Sequence, residues 1–384
     1  MRRFWNGLRD FFRRGDLFLL LLCIIISVYG IVMITSATRY ASDSPTPPMA
    51  QIIALLIGVA LYIMISLVDI KILAEHHLLL LVFNTLIMLL LVPLGQSING
   101  NRAWLKLPGI PFTIQPAEIC KITFVIILAK TLNTNKVHLS SPKSVSRVAA
   151  ETVYMVFLVR ALSNDDGSAL VFLFIFAIVA YTSGIRGWWF LLGAILLAAA
   201  LPLIWRYVLA PYQRERILVP YHPEIDPKGI GVRRDMNLSL AMLSGGGVSG
   251  QGLFHGSLTG VRRLSAQATD FIFSVIGEEL GLLGCLGAVL LEVAIIVRIL
   301  LVGLKTPNFM NRTVCFGLGA MMVFQVLTNI GMCLGLFPVI GLTLPFLSSG
   351  GSSLITMFLA MGLVSGIHMR PDPESKSPYI QPKL

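Results

Sequence analysis

The chain has 384 residues, 55% of them hydrophobic and only 13% charged, with a net charge of +11. An ordinary soluble domain is excluded, because its charged share runs near ~25%. The positive charge calls for no nucleic acid. It lies in tails and loops between apolar runs, where it faces anionic membrane lipid.

Taken in chain order, ten apolar segments are long enough to cross roughly 30 Å of hydrocarbon. They fall at 17–36, 51–68, 78–94, 116–131, 148–162, 168–184, 188–208, 270–303, 312–336 and 347–368. The first is too long for a signal-peptide core and reads as a helix. The fifth is short and holds Glu151 and Arg160, so a broken or tilted helix is expected there. The eighth exceeds a bilayer's thickness, which predicts a tilt or a projection beyond the lipid.

Basic residues orient the chain. Arg2, Arg3, Arg9, Arg13 and Arg14 precede the first segment; Lys130, Lys136, Lys143 and Arg147 flank the loop near 130–147; Lys305 and Arg312 flank the loop near 304–312. An even number of helices places both termini and these loops on the cytoplasmic side together. The fold class expected is an all-α polytopic membrane protein in the bacterial cytoplasmic membrane. One membrane domain covers 1–369, and the Pro- and Ser-rich tail 370–384 is expected to be disordered. No internal repeat is visible, which weighs against an inverted-repeat transporter. Cys23, Cys120, Cys285, Cys315 and Cys333 lie inside apolar segments at unrelated spacings, so they read as small core residues.

Two polar stretches fall on the extracytoplasmic side, 95–115 and the long loop 209–268. A loop of about sixty residues is rare unless it is functional. It mixes aromatic, basic and apolar residues, so it is expected to fold back onto the membrane face. Short amphipathic helices near 211–218 and 235–244 are predicted, in a loop that is mobile until substrate or partner binds. Its glycine cluster, 245–252, misses the dinucleotide spacing and reads as a flexible re-entrant segment.

Several constellations could carry chemistry. Asp270 opens the run TDFIFSVIGEELG, where an acid beside a membrane helix is either a functional group or a cap on the helix N-terminus. Glu118 and Lys121 are three apart and share one helix face. They either neutralise each other or leave an ammonium for phosphate. Asp165 and Asp166 sit in a turn that is ordinary turn chemistry or half of a divalent-cation site. Arg214, Arg216, Arg233, Arg234, Arg262 and Arg263 lie in the long loop against the topological charge bias, and arginine suits bidentate phosphate contacts. In the eighth segment, Asp270, Ser274, Gly277, Gly281, Gly284 and Ala288 form a small-residue face for close helix approach. Glu278 and Glu279 lie deeper and need partners, for which Arg298 and Lys121 are the candidates.

These motifs together resemble the SEDS (shape, elongation, division and sporulation) family of peptidoglycan glycosyltransferases, the RodA branch more than the FtsW branch. The matching pieces are NRAWLKL with FTIQPAEICK, PYQRERI, SGGGVSGQGL, TDFIFSVIGEELGLLG and NIGMCLGLFPVIGLTLPFLSSGGSS, in the family's order. The resemblance implies ten membrane helices with a large outer loop, and polymerisation of lipid II into glycan strands outside the cytoplasmic membrane. It places the family's essential acid on Asp270, its acid and lysine on Glu118 and Lys121, and its basic-aromatic pair on Arg102 and Trp104. It further implies a nascent glycan strand as acceptor and a class B penicillin-binding transpeptidase as partner. A divalent cation, Mg or Mn, would suit the departing pyrophosphate. Arg214, Arg216 and Asp165 complete the expected substrate-binding set. The chain departs from the family before Asp270, where Ser265-Ala266-Gln267-Ala268 lacks the usual acid and imidazole, and at Ser349, where a Tyr is usual. The alternative from another class is a transporter of a lipid-linked precursor, and a third is a scaffold for the transpeptidase. Formation of polymer from lipid II separates the enzyme from both.

Overall fold

The computed structural model describes residues 2–39, 47–98, 101–106, 112–261 and 264–370. Arg262, Arg263 and the tail beyond Arg370 lie outside the described residues.

The helices are α1 (Arg2–Arg14), α2 (Leu17–Thr38), α3 (Pro47–Ser66), α4 (Ile70–Glu75), α5 (His77–Leu89) and α6 (Leu91–Leu94). A hairpin of β1 (Gly95–Ile98) and β2 (Asn101–Leu105) follows, then α7 (Pro116–Thr134), α8 (Pro142–Ser163), α9 (Asp166–Thr182) and α10 (Gly187–Leu203). The long loop carries α11 (Pro211–Leu218), α12 (Arg234–Gly246) and α13 (Ser257–Gly260), and α14 (Ile272–Lys305), α15 (Phe309–Cys333) and α16 (Gly351–Met369) complete the chain. Helices occupy all ten places expected from the sequence. Among the described residues, seven are long and apolar enough to cross a membrane, including the continuous stretch His77–Leu94. The polytopic helical membrane fold stands.

Local chemistry sets the helix ends. Asp16 accepts the Leu19 N–H at 3.1 Å and starts α2 directly after α1. Pro116 and Pro142 occupy first-turn positions, where a missing N–H is harmless. Asn164, at φ 57°, takes the left-handed conformation that ends α8 and turns the chain into α9. The fifth segment is neither broken nor short: α8 runs unbroken for 22 residues. Glu151 is kept inside it by the Thr131 hydroxyl at 2.8 Å, and Arg160 by an ion pair with Asp166 at the helix end.

In the bundle, α16 lies along α3, α15 packs on α9 and α7, and α14 packs against α15, α12 and α2. Small residues set the closest approaches. A Cβ on Gly246 of α12 would stand 1.8 Å from the Gly277 carbonyl of α14. The small-residue face read from the sequence serves this contact.

The excess length of α14 has a different resolution from a tilt. The helix is broken at Gly281, whose backbone sits at φ 67°, ψ −162°. A break inside an apolar span strands backbone donors and acceptors. The glycine cluster of the loop satisfies them. Gln251 N–H donates to Glu278 C=O and Gly252 N–H to Glu279 C=O, both at 2.9 Å. In return Leu282 N–H donates to Gly247 C=O at 2.9 Å and Leu283 N–H to Val248 C=O at 3.2 Å. One expectation for the loop needs correction in this light. Its helices fall where predicted, but the glycine cluster is a segment docked on α14 rather than a flexible re-entrant one.

Candidate active site

Asp270 stands in the turn Ser265–Asp270, just before α14 and outside the membrane-spanning helix. The N–H groups of Thr269, Asp270 and Phe271 all reach the Ala266 carbonyl, at 3.2, 3.0 and 3.2 Å. The turn's carbonyls are held from outside. Ser349 N–H donates to Ala268 C=O at 2.8 Å, Ser348 Oγ to Thr269 C=O at 2.6 Å, and Asn329 Nδ2 to Asp270 C=O at 2.8 Å. Asp270 therefore rests on the end of α15 and on the irregular segment 334–350 that joins α15 to α16. Its carboxyl group is half-buried beside Gly341, where a Cβ would stand 3.8 Å from Oδ2.

Burial pushes the Asp270 carboxyl up to about 6, with the Thr269 hydroxyl and the Arg216 guanidinium opposing the rise and the charges of Asp165 and Asp235 adding to it. Among the described residues Asp270 makes no ion pair. A carboxylate poised near neutrality at a helix entrance can take up a proton or bind a cation.

Asp165 lies close enough to act on Asp270, yet both its oxygens are engaged. Oδ1 accepts the Ser168 N–H at 2.9 Å, capping α9, and Oδ2 accepts Ser168 Oγ at 2.7 Å and Gln115 Nε2 at 2.9 Å. The Gln115 N–H in turn donates to Ser352 Oγ at 3.0 Å. The entrances of α7, α9 and α16 are thus tied together beside Asp270. Asp166 pairs with Arg160 at 2.7 Å and accepts from Gln213 of α11, which fastens the long loop to the bundle.

Glu118 and Lys121 form a buried ion pair at 2.6 Å, with the lysine side chain fully enclosed. The ammonium points at its own carboxylate, the self-neutralising arrangement of the two left open by the sequence. Arg102 folds back onto its hairpin, donating to Val92 C=O at 2.6 Å and Gly95 C=O at 3.3 Å. Trp104 pairs with Gln96 across the hairpin and is half-buried. Arg214 holds the end of the α10 extension through Leu209 C=O and Arg206 C=O, both at 3.0 Å. Arg216 is exposed, stacks over Tyr212 at 5.9 Å, and is the loop arginine whose charge Asp270 feels.

Neither proposed partner serves the two deeper glutamates. Arg298 pairs with Asp16 at 2.8 Å, and Lys121 is committed to Glu118. Glu278 accepts instead from Leu258 N at 2.7 Å, Thr259 N at 2.9 Å, Thr259 Oγ1 at 2.6 Å and Ser257 Oγ at 3.2 Å. Glu279 accepts from Ser36 Oγ at 2.5 Å and Phe254 N at 3.1 Å. Loop backbone solvates both carboxylates, as it repairs the helix break beside them.

No group of three or more His, Cys, Asp or Glu side chains among the described residues is placed to hold a metal. Mg²⁺ is commonly held by one or two carboxylates with substrate phosphate and water, a mode for which a single carboxylate such as Asp270 suffices. Asn329, Ser348 and Ser349 went unassigned in the sequence. Their signal was a buried-type amide inside an apolar helix and a serine pair before a helix start, which neither periodicity nor charge singles out.

The family profile described as "Cell cycle protein", covering FtsW, RodA and SpoVE, matches residues 16–372. The chain is 33% identical to peptidoglycan glycosyltransferase MrdB of Escherichia coli K12 over 287 residues, which are 74% of this chain and 75% of that protein. It is 31% identical to stage V sporulation protein E of Bacillus subtilis over 360 residues, 92% of this chain and 96% of that one. Among solved structures, a chain from a peptidoglycan synthase complex that coordinates polymerization and crosslinking superposes with a TM-score of 0.79 at 30% identity, covering 93% and 99% of the two chains. Thermus thermophilus RodA superposes with a TM-score of 0.68 at 28% identity, covering 94% and 98%. With the fold, the motif order and these matches in agreement, the chain belongs to the FtsW/RodA/SpoVE family of SEDS proteins.

Proposed function

We propose that the chain is a peptidoglycan glycosyltransferase that polymerises lipid II into glycan strands, with Asp270 as the reacting carboxylate. The observation that carries this reading is the setting of Asp270: a half-buried acid raised to about 6, on a backbone held by two separate segments, the end of α15 and the stretch 334–350. Polymerisation needs a proton taken from an acceptor sugar hydroxyl while a lipid pyrophosphate departs. A positioned base contributes typically ~10²–10⁴-fold. Asp270 serves as that base or as a cation ligand. A divalent cation such as Mg²⁺ or Mn²⁺, held by Asp270 and substrate phosphate, would supply charge neutralisation of the pyrophosphate. Arg216 is the exposed cation nearest in electrostatic effect and is assigned to phosphate. Arg214, Arg102 and Trp104 are assigned as further substrate contacts.

The basic tail and loops assign both termini to the cytoplasm, which places Asp270 and the long loop at the outer face. The partner assigned is a class B penicillin-binding transpeptidase, by analogy with the synthase complex that its structural relative forms.

The test is polymer formation from lipid II by the purified chain, alone and with that partner. Asp270→Asn keeps the size of the side chain, and is expected to abolish polymer while expression and membrane insertion persist. Asp270 does not cap α14, whose N-cap position is Phe271 with no side-chain cap bond, so an Asn variant within about tenfold of the parent rate removes Asp270 as the reacting carboxylate, since loss of a general base removes ~10²-fold or more. Movement of labelled lipid II between leaflets with no polymer makes the chain a transporter.

A further inference from the structure

Asn329 lies near the end of α15 and is fully buried. Its Nδ2 donates twice, to Asp270 C=O at 2.8 Å and to Leu342 C=O at 2.7 Å. Both partners are pure acceptors, so the orientation of the amide is settled. Exchanging Oδ1 and Nδ2 would set an oxygen against two oxygens. The orientation that satisfies both carbonyls leaves Oδ1 buried with no partner. A buried orphan acceptor is unfavourable, and a leucine of similar size would avoid it. The amide persists at this position against that penalty, so its two donated bonds are where its value lies.

We propose that Asn329 is a positioning residue for the reaction: it fixes the Asp270 peptide, and through it the carboxyl group, against the segment 334–350. The proposal rests on the reading of Asp270 as the reacting group. Asn329 itself reaches no substrate, since it is enclosed beneath the turn.

The geometry explains why one amide governs the carboxylate. Three successive carbonyls, Ala268, Thr269 and Asp270, are gripped from outside the turn, the last by the Asn329 amide at 2.8 Å, with only the weak Cys333 thiol donor at 3.7 Å beside it. Asp270 C=O belongs to the peptide plane on the C-terminal side of the reacting residue. With the preceding plane held by Ser348, the two planes together set the direction of the Cα–Cβ bond. Releasing one lets the plane rotate and swings the carboxyl group. The second bond of the same amide, to Leu342, holds the chain next to Gly341, which passes beside Oδ2 without a side chain. Both the acid and the wall it faces are referenced to one side chain. A displacement of about 1 Å at a reacting group lowers a rate by ~10²-fold.

The experiment measures kcat and KM for lipid II polymerisation, with thermal stability, for full-length Asn329→Leu, Asn329→Gln and Asp270→Asn in the complex with the transpeptidase. Asn329→Leu is expected to lower kcat by about 10²-fold with KM for lipid II within about threefold of the parent, and Asn329→Gln, which keeps both donors, to recover at least about a tenth of the parent kcat. A leucine variant with kcat within about threefold of the parent overturns the proposal. So does a kcat that falls only in proportion to the folded fraction, or a glutamine variant no better than leucine. If Asn329→Leu does not fold, Asn329→Ser, which keeps one donor, takes its place: an intermediate kcat at parental KM supports the proposal and a parental kcat overturns it. Asp270→Asn separates the two layers. Parent-like polymerisation by Asp270→Asn refutes the reading of Asp270, whereas an inactive Asp270→Asn beside a fully active Asn329→Leu refutes the positioning role alone.

Discussion

The Leu282 N–H of the broken helix α14 donates to the Gly247 carbonyl of the long loop at 2.9 Å, across a gap of 35 residues in the chain. The long loop is therefore part of the hydrogen-bonding ladder of a membrane helix. Without it, the carbonyls of Glu278 and Glu279 and the amides of Leu282 and Leu283 would be stranded in an apolar environment, each at several kcal/mol. The break also explains how two adjacent glutamates are buried in one apolar helix: the segment that repairs the helix brings the donors that solvate them.

The docking depends on Gly250. At φ +79° it occupies a conformation that a side chain disfavours by roughly 1–2 kcal/mol. A Cβ there would stand 2.1 Å from the Glu279 carbonyl oxygen, which is backbone and cannot rotate away. Gly250→Ala should lower the thermal inactivation temperature by about 4 °C or more, taking ~2 kcal/mol or more at ~2 °C per kcal/mol for a chain of this size. Gly247→Ala is the control, because its Cβ would meet no atom within 4 Å and only the left-handed backbone opposes it. Equal losses for the two variants would show that the contact with α14 contributes nothing.

Glu278 accepts four hydrogen bonds from Ser257, Leu258 and Thr259, two on each oxygen. Glu278→Gln keeps one accepting oxygen and sets an NH₂ group against donors on the other side. Leaving those donors unsatisfied costs about 1–3 kcal/mol. Hydrogen exchange of the amides at 257–260 should accelerate, with polymerisation reduced less than by Asp270→Asn. Unchanged protection at 257–260 would show that α13 is held by other contacts.

The fully buried Glu118–Lys121 pair changes what a lysine substitution reports. Lys121→Met strands the Glu118 carboxylate, and breaking a buried pair costs about 3–5 kcal/mol. Poor recovery from the membrane is expected, and it says nothing about phosphate. Glu118→Gln with Lys121→Met removes both charges and should restore recovery to near the parent. A recovered double variant with parental affinity for lipid II makes the pair structural. One that folds and binds lipid II weakly gives the ammonium a role in the donor site.

Helices at the ten apolar segments were legible because a run of ~20 apolar residues is a physical requirement of the bilayer, and among the described residues seven of them are long and apolar enough to cross it. α11 and α12 were legible from their own amphipathic patterns. The break at Gly281 was not. Glycine suits both a small-residue face and a helix break, and only the distant glycine cluster decides between them. Asp270 stood out as a charge at the mouth of an apolar run. Asn329 and Ser348 did not, because what they hold is a carbonyl 59 or 79 residues away in the chain. Asp165 shows the opposite case: a turn acid left open between turn chemistry and half of a cation site spends its oxygens on Ser168 and Gln115.

The carboxyl of Asp270 titrates near 6, so the pH dependence of polymerisation carries a sign that can be checked. A general base works in its ionised form. kcat/KM for lipid II should be level above about pH 7 and fall about tenfold per pH unit below 6, as one proton is taken up. Two charges near Asp270 then push the inflection in opposite directions. Arg216 stabilises the carboxylate, so Arg216→Gln should move the inflection to higher pH. Asp235 destabilises it, so Asp235→Asn should move it to lower pH. Asp235 is fastened by Ser265 Oγ at 2.8 Å, a bond that the asparagine keeps through its carbonyl, so a loss of structure is not the expected cause. A profile flat from pH 5 to 8 removes the Asp270 proton from the rate, and shifts that are absent, or reversed from these two directions, remove Asp270 as the group that titrates.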